Sequence, residues 1–222
     1  MDQTPIHESH NPDLLRIIPA GLGFVMEVGC SSGALAREYV GANSGCKYVG
    51  VEIDSDYAES AKRYCSSVIV GDIDSFDDSF YTSNSKSQCW IFGDTLEHLK
   101  DPWGVLRKIR NVISDDGYIA ACIPNAQHWS LQAKLAIGDW RYEKSGLLDK
   151  THLRWFTRQT ILELFRDSGF EVVSGFPRVF DDPMRESILP VIGLMARVSG
   201  CDERLAIEDS LPLQYVVLAR PC

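Results

Sequence analysis

Four carboxylates stand where short apolar runs end. Glu27 closes Phe24-Val25-Met26, Glu52 closes Lys47-Tyr48-Val49-Gly50-Val51, Asp72 follows Val68-Ile69-Val70-Gly71, and Asp94 follows Cys89-Trp90-Ile91-Phe92-Gly93. Glu27 opens Glu27-Val28-Gly29-Cys30-Ser31-Ser32-Gly33, an E-x-G-x-S-x-G spacing rather than the dinucleotide fingerprint G-x-G-x-x-G. A carboxylate beside a glycine turn repels an anionic pyrophosphate and attracts a cationic ligand. Glu52 lies 25 residues beyond Glu27, near the spacing of about 20 at which an α/β nucleoside site places its ribose acid. A carboxylate there can accept from both ribose hydroxyls, each bond being worth ~1.5–3 kcal/mol. A solvated strand-end acid is the alternative for Glu52, and a turn residue for Asp72.

A second group is Asp94-x-x-Glu97-His98. As structure it is a capping box, with Asp94 capping a helix and Glu97 reaching back to the cap amide. As chemistry it offers two carboxylates and an imidazole on one helix face, which with a further histidine suits a divalent ion. Both readings stay open on the sequence. His128, directly after an apolar run, and His152 are candidates for a general base near neutral pH, His152 being favoured.

The elements that must position these groups follow from periodicity and punctuation. A short helix is predicted over 13–18, ended near Pro19. Strands are predicted over 24–28, 47–53, 68–73, 89–94, 118–125, 170–174 and 214–220. Helices are predicted from Ala34 to about Val40, capped by Ser31 or Ser32, and over 56–66, capped by Asp54 or Ser55. Asp101-Pro102 starts another, with Val105, Leu106, Ile109, Val112 and Ile113 on its apolar face. A further helix runs over 157–165, capped by Thr157 and ended by Gly169, and one more over 184–198. The stretch 74–87 reads as a surface connection and 1–12 as a polar arm. This β-α-β alternation marks an α/β, doubly wound, mostly parallel sheet with helices on both faces, whose ligands sit at the carboxyl ends of the strands. Glu27, Glu52, Asp72 and Asp94 should therefore reach one rim. Residues 126–156, rich in aromatics and holding His128 and His152, read as a lid inserted after strand five.

Composition narrows the function. The 222 residues carry a formal net charge of −9 without a basic stripe, which counts against nucleic acid and anionic membranes as partners. Seven scattered cysteines without a C-x-x-C pair argue against a disulfide framework or zinc ribbon and for a reducing, cytoplasmic setting. No signal-peptide pattern opens the chain, and the longest apolar stretch, near 188–198, is too short to span a bilayer. One domain over 1–222 is expected, with 1–20 as an N-terminal arm and helix.

At the acid–glycine turn the chain resembles the class I S-adenosylmethionine-dependent methyltransferases, whose first motif is acid-x-Gly-x-Gly-x-Gly; Ser31 stands where the family usually has glycine. The resemblance implies a Rossmann-like seven-stranded sheet with an antiparallel last strand. It also implies S-adenosylmethionine held by Glu27, Gly29, Cys30, Ser31, Gly33, Glu52, Ile53, Asp72, Ile73, Asp94 and Thr95, with Asp72 accepting from the adenine amino group and Ile73 covering its ring. Ubiquinone-pathway O-methyltransferases and small-RNA 2′-O-methyltransferases carry a similar acid-x-x-Glu-His and a later histidine. Thr151-His152-Leu153-Arg154-Trp155-Phe156-Thr157 resembles that later segment, and the implied metal set is Asp94, Glu97, His98 and His152, Asp94 replacing a glutamate. The broader likeness, over about 11–221, is to a bacterial subgroup associated with glycan biosynthesis. It implies O-methylation of a small-molecule hydroxyl on a sugar or glycolipid, with a homodimer compatible. Three other readings are a catalytically weak cofactor-binding partner subunit, an RNA 2′-O-methyltransferase and, more distantly, a dehydrogenase.

Overall fold

The computed structural model describes residues 8–222, so most of the predicted polar arm lies outside the described residues. The polypeptide opens with α1 (Pro12–Ile17), capped by the Asn11 side chain. It continues through β1 (Phe24–Val28), α2 (Ala34–Ala42), β2 (Lys47–Glu52), α3 (Ser55–Ala61), β3 (Ser67–Val70), α4 (Asp78–Ser83), β4 (Cys89–Gly93), α5 (Pro102–Arg110) and β5 (Tyr118–Pro124). Beyond these lie α6 (Trp129–Ala136), α7 (Arg158–Arg166), β6 (Phe170–Arg178), α8 (Arg185–Val198), α9 (Glu203–Ser210) and β7 (Gln214–Pro221).

The seven strands form one sheet in the order β3-β2-β1-β4-β5-β7-β6. The pairs β1–β2, β1–β4, β2–β3 and β4–β5 are parallel, while β7 runs antiparallel to both β5 and β6. Strand order reverses between β1 and β4, the switch point at which such sheets open a crevice. The near-continuous apolar strands are explained by burial on both faces. One face packs Met26, Val49, Trp90, Phe92 and Ile119 with Leu106 and Ile109 of α5 and Ile161 and Phe165 of α7. The other packs Val25, Tyr48, Ile91, Ala120 and Val216 with Leu14 of α1 and Leu35 and Tyr39 of α2. Five of the seven free cysteines belong to this second layer.

Several predicted caps are present. Asp54 caps α3, Asp101 caps α5 ahead of Pro102, and Thr157 closes a reciprocal capping box with Thr160 at α7. The start of α2 differs from the prediction. Its N-cap is Gly33 at φ 79° without any side-chain cap bond, and Ser31 sits in the left-handed region at φ 46°. The loop takes its shape from backbone conformation, so the cap position falls on Gly33 rather than on either serine. Strand β3 ends at Val70, two residues before the acid. Helices α4, α6 and α9 appear where no helix was predicted, because each is a short segment whose apolar spacing is weak against flanking polar residues.

Gly29 decides how closely the first and fourth strand ends approach. It has φ 73°, and a Cβ there would meet Thr95 Oγ1 at 2.7 Å. Gly29→Ala is expected to lower unfolding free energy by about 1–3 kcal/mol through overpacking at this junction. Urea denaturation would measure it, and an unchanged midpoint would show that the two turns are free to separate.

Candidate active site

A crevice of about 920 Å³ opens over the carboxyl ends of β1, β2, β3 and β4. Its walls include Gly29, Ser31, Glu52, Ile53, Asp72, Ile73, Asp94 and Thr95. The Glu52 carboxylate binds the loop to the sheet, accepting from Ser31 N at 2.8 Å and Asp54 N at 3.0 Å. Its remaining lone pairs can still accept from hydroxyls. Asp72 both lines the crevice and works as a turn residue. It accepts from Asp74 N at 3.0 Å, capping a single 3-10 turn, and pairs with Lys100 Nζ at 3.3 Å. Ile53, 42% exposed, presents an apolar face to the open crevice, as a ring-shaped ligand requires.

Three predicted contacts of the loop are set behind this wall. Glu27 does not line the crevice; it is 5% exposed and accepts from the Tyr48 hydroxyl at 2.9 Å. Period-two alternation turns its side chain into the sheet's packed layer, so three of the four acids share the rim. Burial lifts its carboxyl to about 8, against the Tyr48 hydrogen bond and with some help from Glu52. Cys30 is buried, its sulfur packed over Gly50, and Gly33 abuts the Ala61 backbone; neither reaches the crevice.

Asp94, Glu97 and His98 follow β4, but the predicted capping box is absent. The 3-10 turn Leu96–His98 has Thr95 at its cap position, but the Thr95 hydroxyl donates to the Val28 carbonyl rather than capping the turn. Asp94, at φ 53°, turns aside to accept from Gln214 Nε2. Glu97 is 1% exposed, and both its carboxylate oxygens lack a hydrogen-bond partner among the described residues. Burial first, then Asp94 and Asp149, hold its carboxyl well above the ordinary range. Beside it stand two imidazoles, with His152 Nε2 4.0 Å from Glu97 Oε1 and the two rings 4.7 Å apart. Ligand atoms of Glu97, His98 and His152 all lie within 4.8 Å of one another. Asp94 is therefore separated from the predicted metal set, because its left-handed backbone aims the carboxylate at β7. Burial lowers the pKa of both histidines, and for His152 the neighbouring His98 adds to the effect. An orphaned carboxylate facing two neutral imidazoles is a donor set that fits a divalent cation.

The lid is only partly as expected. Its start is a helix, α6, capped by His128, whose Nδ1 is 2.7 Å from Ser130 Oγ. Burial lowers His128 to about 4, and the ring does not line the crevice, so it is absent from the site. The far end of the lid is pinned, since Leu153 N and Arg154 N both donate to the Glu97 carbonyl, at 2.8 and 3.0 Å. This brings Leu147, Asp149, Lys150, Thr151 and His152 to the crevice wall. Of these, Asp149 and Leu147 carried no sequence signal beyond lying in the insertion, while Thr151 adjoins His152 in the quoted segment.

Residues 13–175 match the methyltransferase-domain family. Solved structures share the fold at low identity. A SAM-dependent methyltransferase from Archaeoglobus fulgidus superposes with TM-score 0.58 at 18% identity, covering 90% of this chain and 86% of that one. Magnesium protoporphyrin IX methyltransferase from Synechocystis PCC 6803, solved with bound SAH, gives 0.57 at 12%, covering 92% and 75%. Mitomycin 7-O-methyltransferase gives 0.58 at 14%, and this chain, 95% covered, spans 52% of its length. No curated protein sequence matches. With residues 13–175 matched, the chain belongs to the methyltransferase-domain family, and its sheet has the fold of the SAM-dependent methyltransferases it resembles. No helix among the described residues is long and apolar enough to cross a membrane.

Glu27 generates a pH prediction for the cofactor-free protein. Its folded pKa, about 8, lies above the ordinary 4.5, so between these values the folded state holds a proton that the unfolded state releases. Stability should fall as pH rises through that window, and Glu27→Gln should flatten the fall. Thermal midpoints from pH 5 to about 9 check this; equal slopes in both proteins would refute it.

Proposed function

We propose that the protein transfers the methyl group of S-adenosylmethionine to a hydroxyl of a small-molecule acceptor such as a sugar, a glycolipid or a similar metabolite. The observation that carries this is one crevice holding both the nucleoside-type wall, with Glu52, Ile53, Asp72 and Ile73, and the polar cluster of Glu97, His98 and His152. In the reaction, an oxygen lone pair attacks the methyl carbon in line with the breaking carbon–sulfur bond. The bond's electron pair stays on sulfur, giving S-adenosylhomocysteine, and the hydroxyl proton passes to a base. Holding the nucleophile about 3–3.5 Å from the methyl supplies much of the rate. His152, walled into the crevice and neutral near pH 7 by burial, is the favoured base. In the alternative scheme, His152 would give its lone pair to a divalent ion held together with Glu97 and His98. Such an ion would act as a Lewis acid, lowering the pKa of a bound hydroxyl.

An RNA acceptor is disfavoured by the −9 charge. A purely cofactor-binding subunit leaves unexplained why two imidazoles and a buried carboxylate converge in the crevice.

S-adenosylhomocysteine at 100 times its dissociation constant should add ~2.7 kcal/mol, raising the melting midpoint by roughly 5–10 °C, whereas nicotinamide dinucleotides should not. Transfer of labelled methyl to a panel of sugars, glycolipids and phenols tests the acceptor; labelling of structured RNA alone would overturn it. His152→Ala should reduce kcat by about 100-fold or more with S-adenosylhomocysteine affinity retained. Full turnover in excess chelator, with no metal found by plasma emission analysis, would remove the ion from the scheme.

A further inference from the structure

The lid carries a buried acid to which the proposed reaction gives no part. Asp149 is 2% exposed and accepts from the backbone N of Thr151 at 2.8 Å and from its hydroxyl at 2.7 Å. The same hydroxyl lies 3.0 Å from His98 Nδ1, and the Thr151 carbonyl lies 3.2 Å from that nitrogen. Counting protons fixes the direction of this chain. A threonine hydroxyl has one proton, and a carboxylate only accepts. The Thr151 proton is therefore committed to Asp149, which leaves the hydroxyl oxygen as an acceptor toward the imidazole. The carbonyl is an acceptor as well. Nδ1 faces two acceptors, so it must carry the ring hydrogen, and the lone pair of the neutral imidazole resides on Nε2.

We propose that Asp149 and Thr151 are positioning residues that hold His98 as the Nδ1–H tautomer and so turn its Nε2 lone pair into the crevice. Without the carboxylate, the Thr151 hydroxyl is free to donate to Nδ1, which would move the ring hydrogen to Nε2. The imidazole would then present a donor where a ligand or proton acceptor is needed. Outer partners of this kind fix ring orientation and tautomer generally. Here the partner comes from the lid while the histidine comes from the turn after β4. His98 thus acquires its working form only where the lid segment is docked by its bonds to the Glu97 carbonyl. The proposal rests on the reading of His98 as a working member of the site, but its test does not need turnover.

The experiment is a long-range proton–nitrogen correlation spectrum of the metal-free full chain with ¹⁵N-histidine, the His98 signals assigned through His98→Gln. Wild type should show hydrogen on Nδ1 and a bare Nε2. Asp149→Ala, which removes the oxygen that accepts the Thr151 proton, should populate the Nε2–H form. The double variant Asp149→Ala/Thr151→Val should return to Nδ1–H, because only the carbonyl then faces the ring; loss of fold alone would produce no such reversal. Thr151→Ser, which keeps the hydroxyl, should show the wild-type tautomer. An Nε2–H tautomer in wild type, or an Asp149→Ala spectrum identical to it, overturns the proposal. If Asp149→Ala does not fold, the wild-type tautomer alone decides. Once an acceptor is known, Asp149→Ala should lower kcat by about 10–100-fold at unchanged S-adenosylhomocysteine affinity, and adding Thr151→Val should recover part of the loss. Failure to find any acceptor would challenge the function assigned to the crevice and leave the tautomer result standing.

Discussion

The hydrogen bond from Thr95 Oγ1 to the Val28 carbonyl, 2.9 Å long, joins the two central strand ends at the point where strand order reverses. It forms only because Gly29 has no side chain in the way. On one side of this junction is the loop that carries Ser31 and meets Glu52; on the other is the turn that carries Glu97 and His98. The distance between the cofactor wall and the polar cluster is thus set by two backbone turns packed on the most buried strands. A group transfer that depends on alignment to a fraction of an ångström is served by rigid sheet ends rather than by loops.

Around that junction the protein buries acids at some expense to its own stability. Glu27, Glu97 and Asp149 are each at most 5% exposed. Burying a carboxylate raises the cost of ionising it, and the fold answers differently in each case. Glu27 keeps its proton and a tyrosine partner, while Asp149 is met by a hydroxyl and an amide. Glu97 has neither, and its oxygens face two imidazoles. Unsatisfied buried polar groups are rare in folded proteins, and one facing two imidazoles in a crevice is explained by a catalytic role or a bound ion.

The segment after β5 supplies part of the crevice wall. Asn125, fully buried, donates to the carbonyls of Asp209 and Pro212, both at 2.8 Å, and fixes where the insertion departs. The bonds to the Glu97 carbonyl fix where it returns. Between these anchors lie a helix capped by His128 and an irregular segment, so one histidine of the insertion is consumed in capping and the other is delivered to the site.

The sequence alone determined the layered architecture, because strand-length apolar runs alternating with capped amphipathic helices admit few other arrangements. It also determined which acids close those strands, while the grouping of His152 with Glu97 and His98 came from the resemblance of its segment to a known family. Short helices such as α4 and α9 were illegible, since a few residues with weak periodicity do not outweigh their polar neighbours. Side-chain direction at a strand end was illegible too. One step of pleat or one left-handed φ sends Glu27 into the core and Asp94 toward Gln214, and neither is encoded in spacing. Only the tertiary structure could pair Asp149 and Thr151 with a histidine some fifty residues away. That contact exists because the lid is docked on the turn after β4, a packing event with no local signature along the chain.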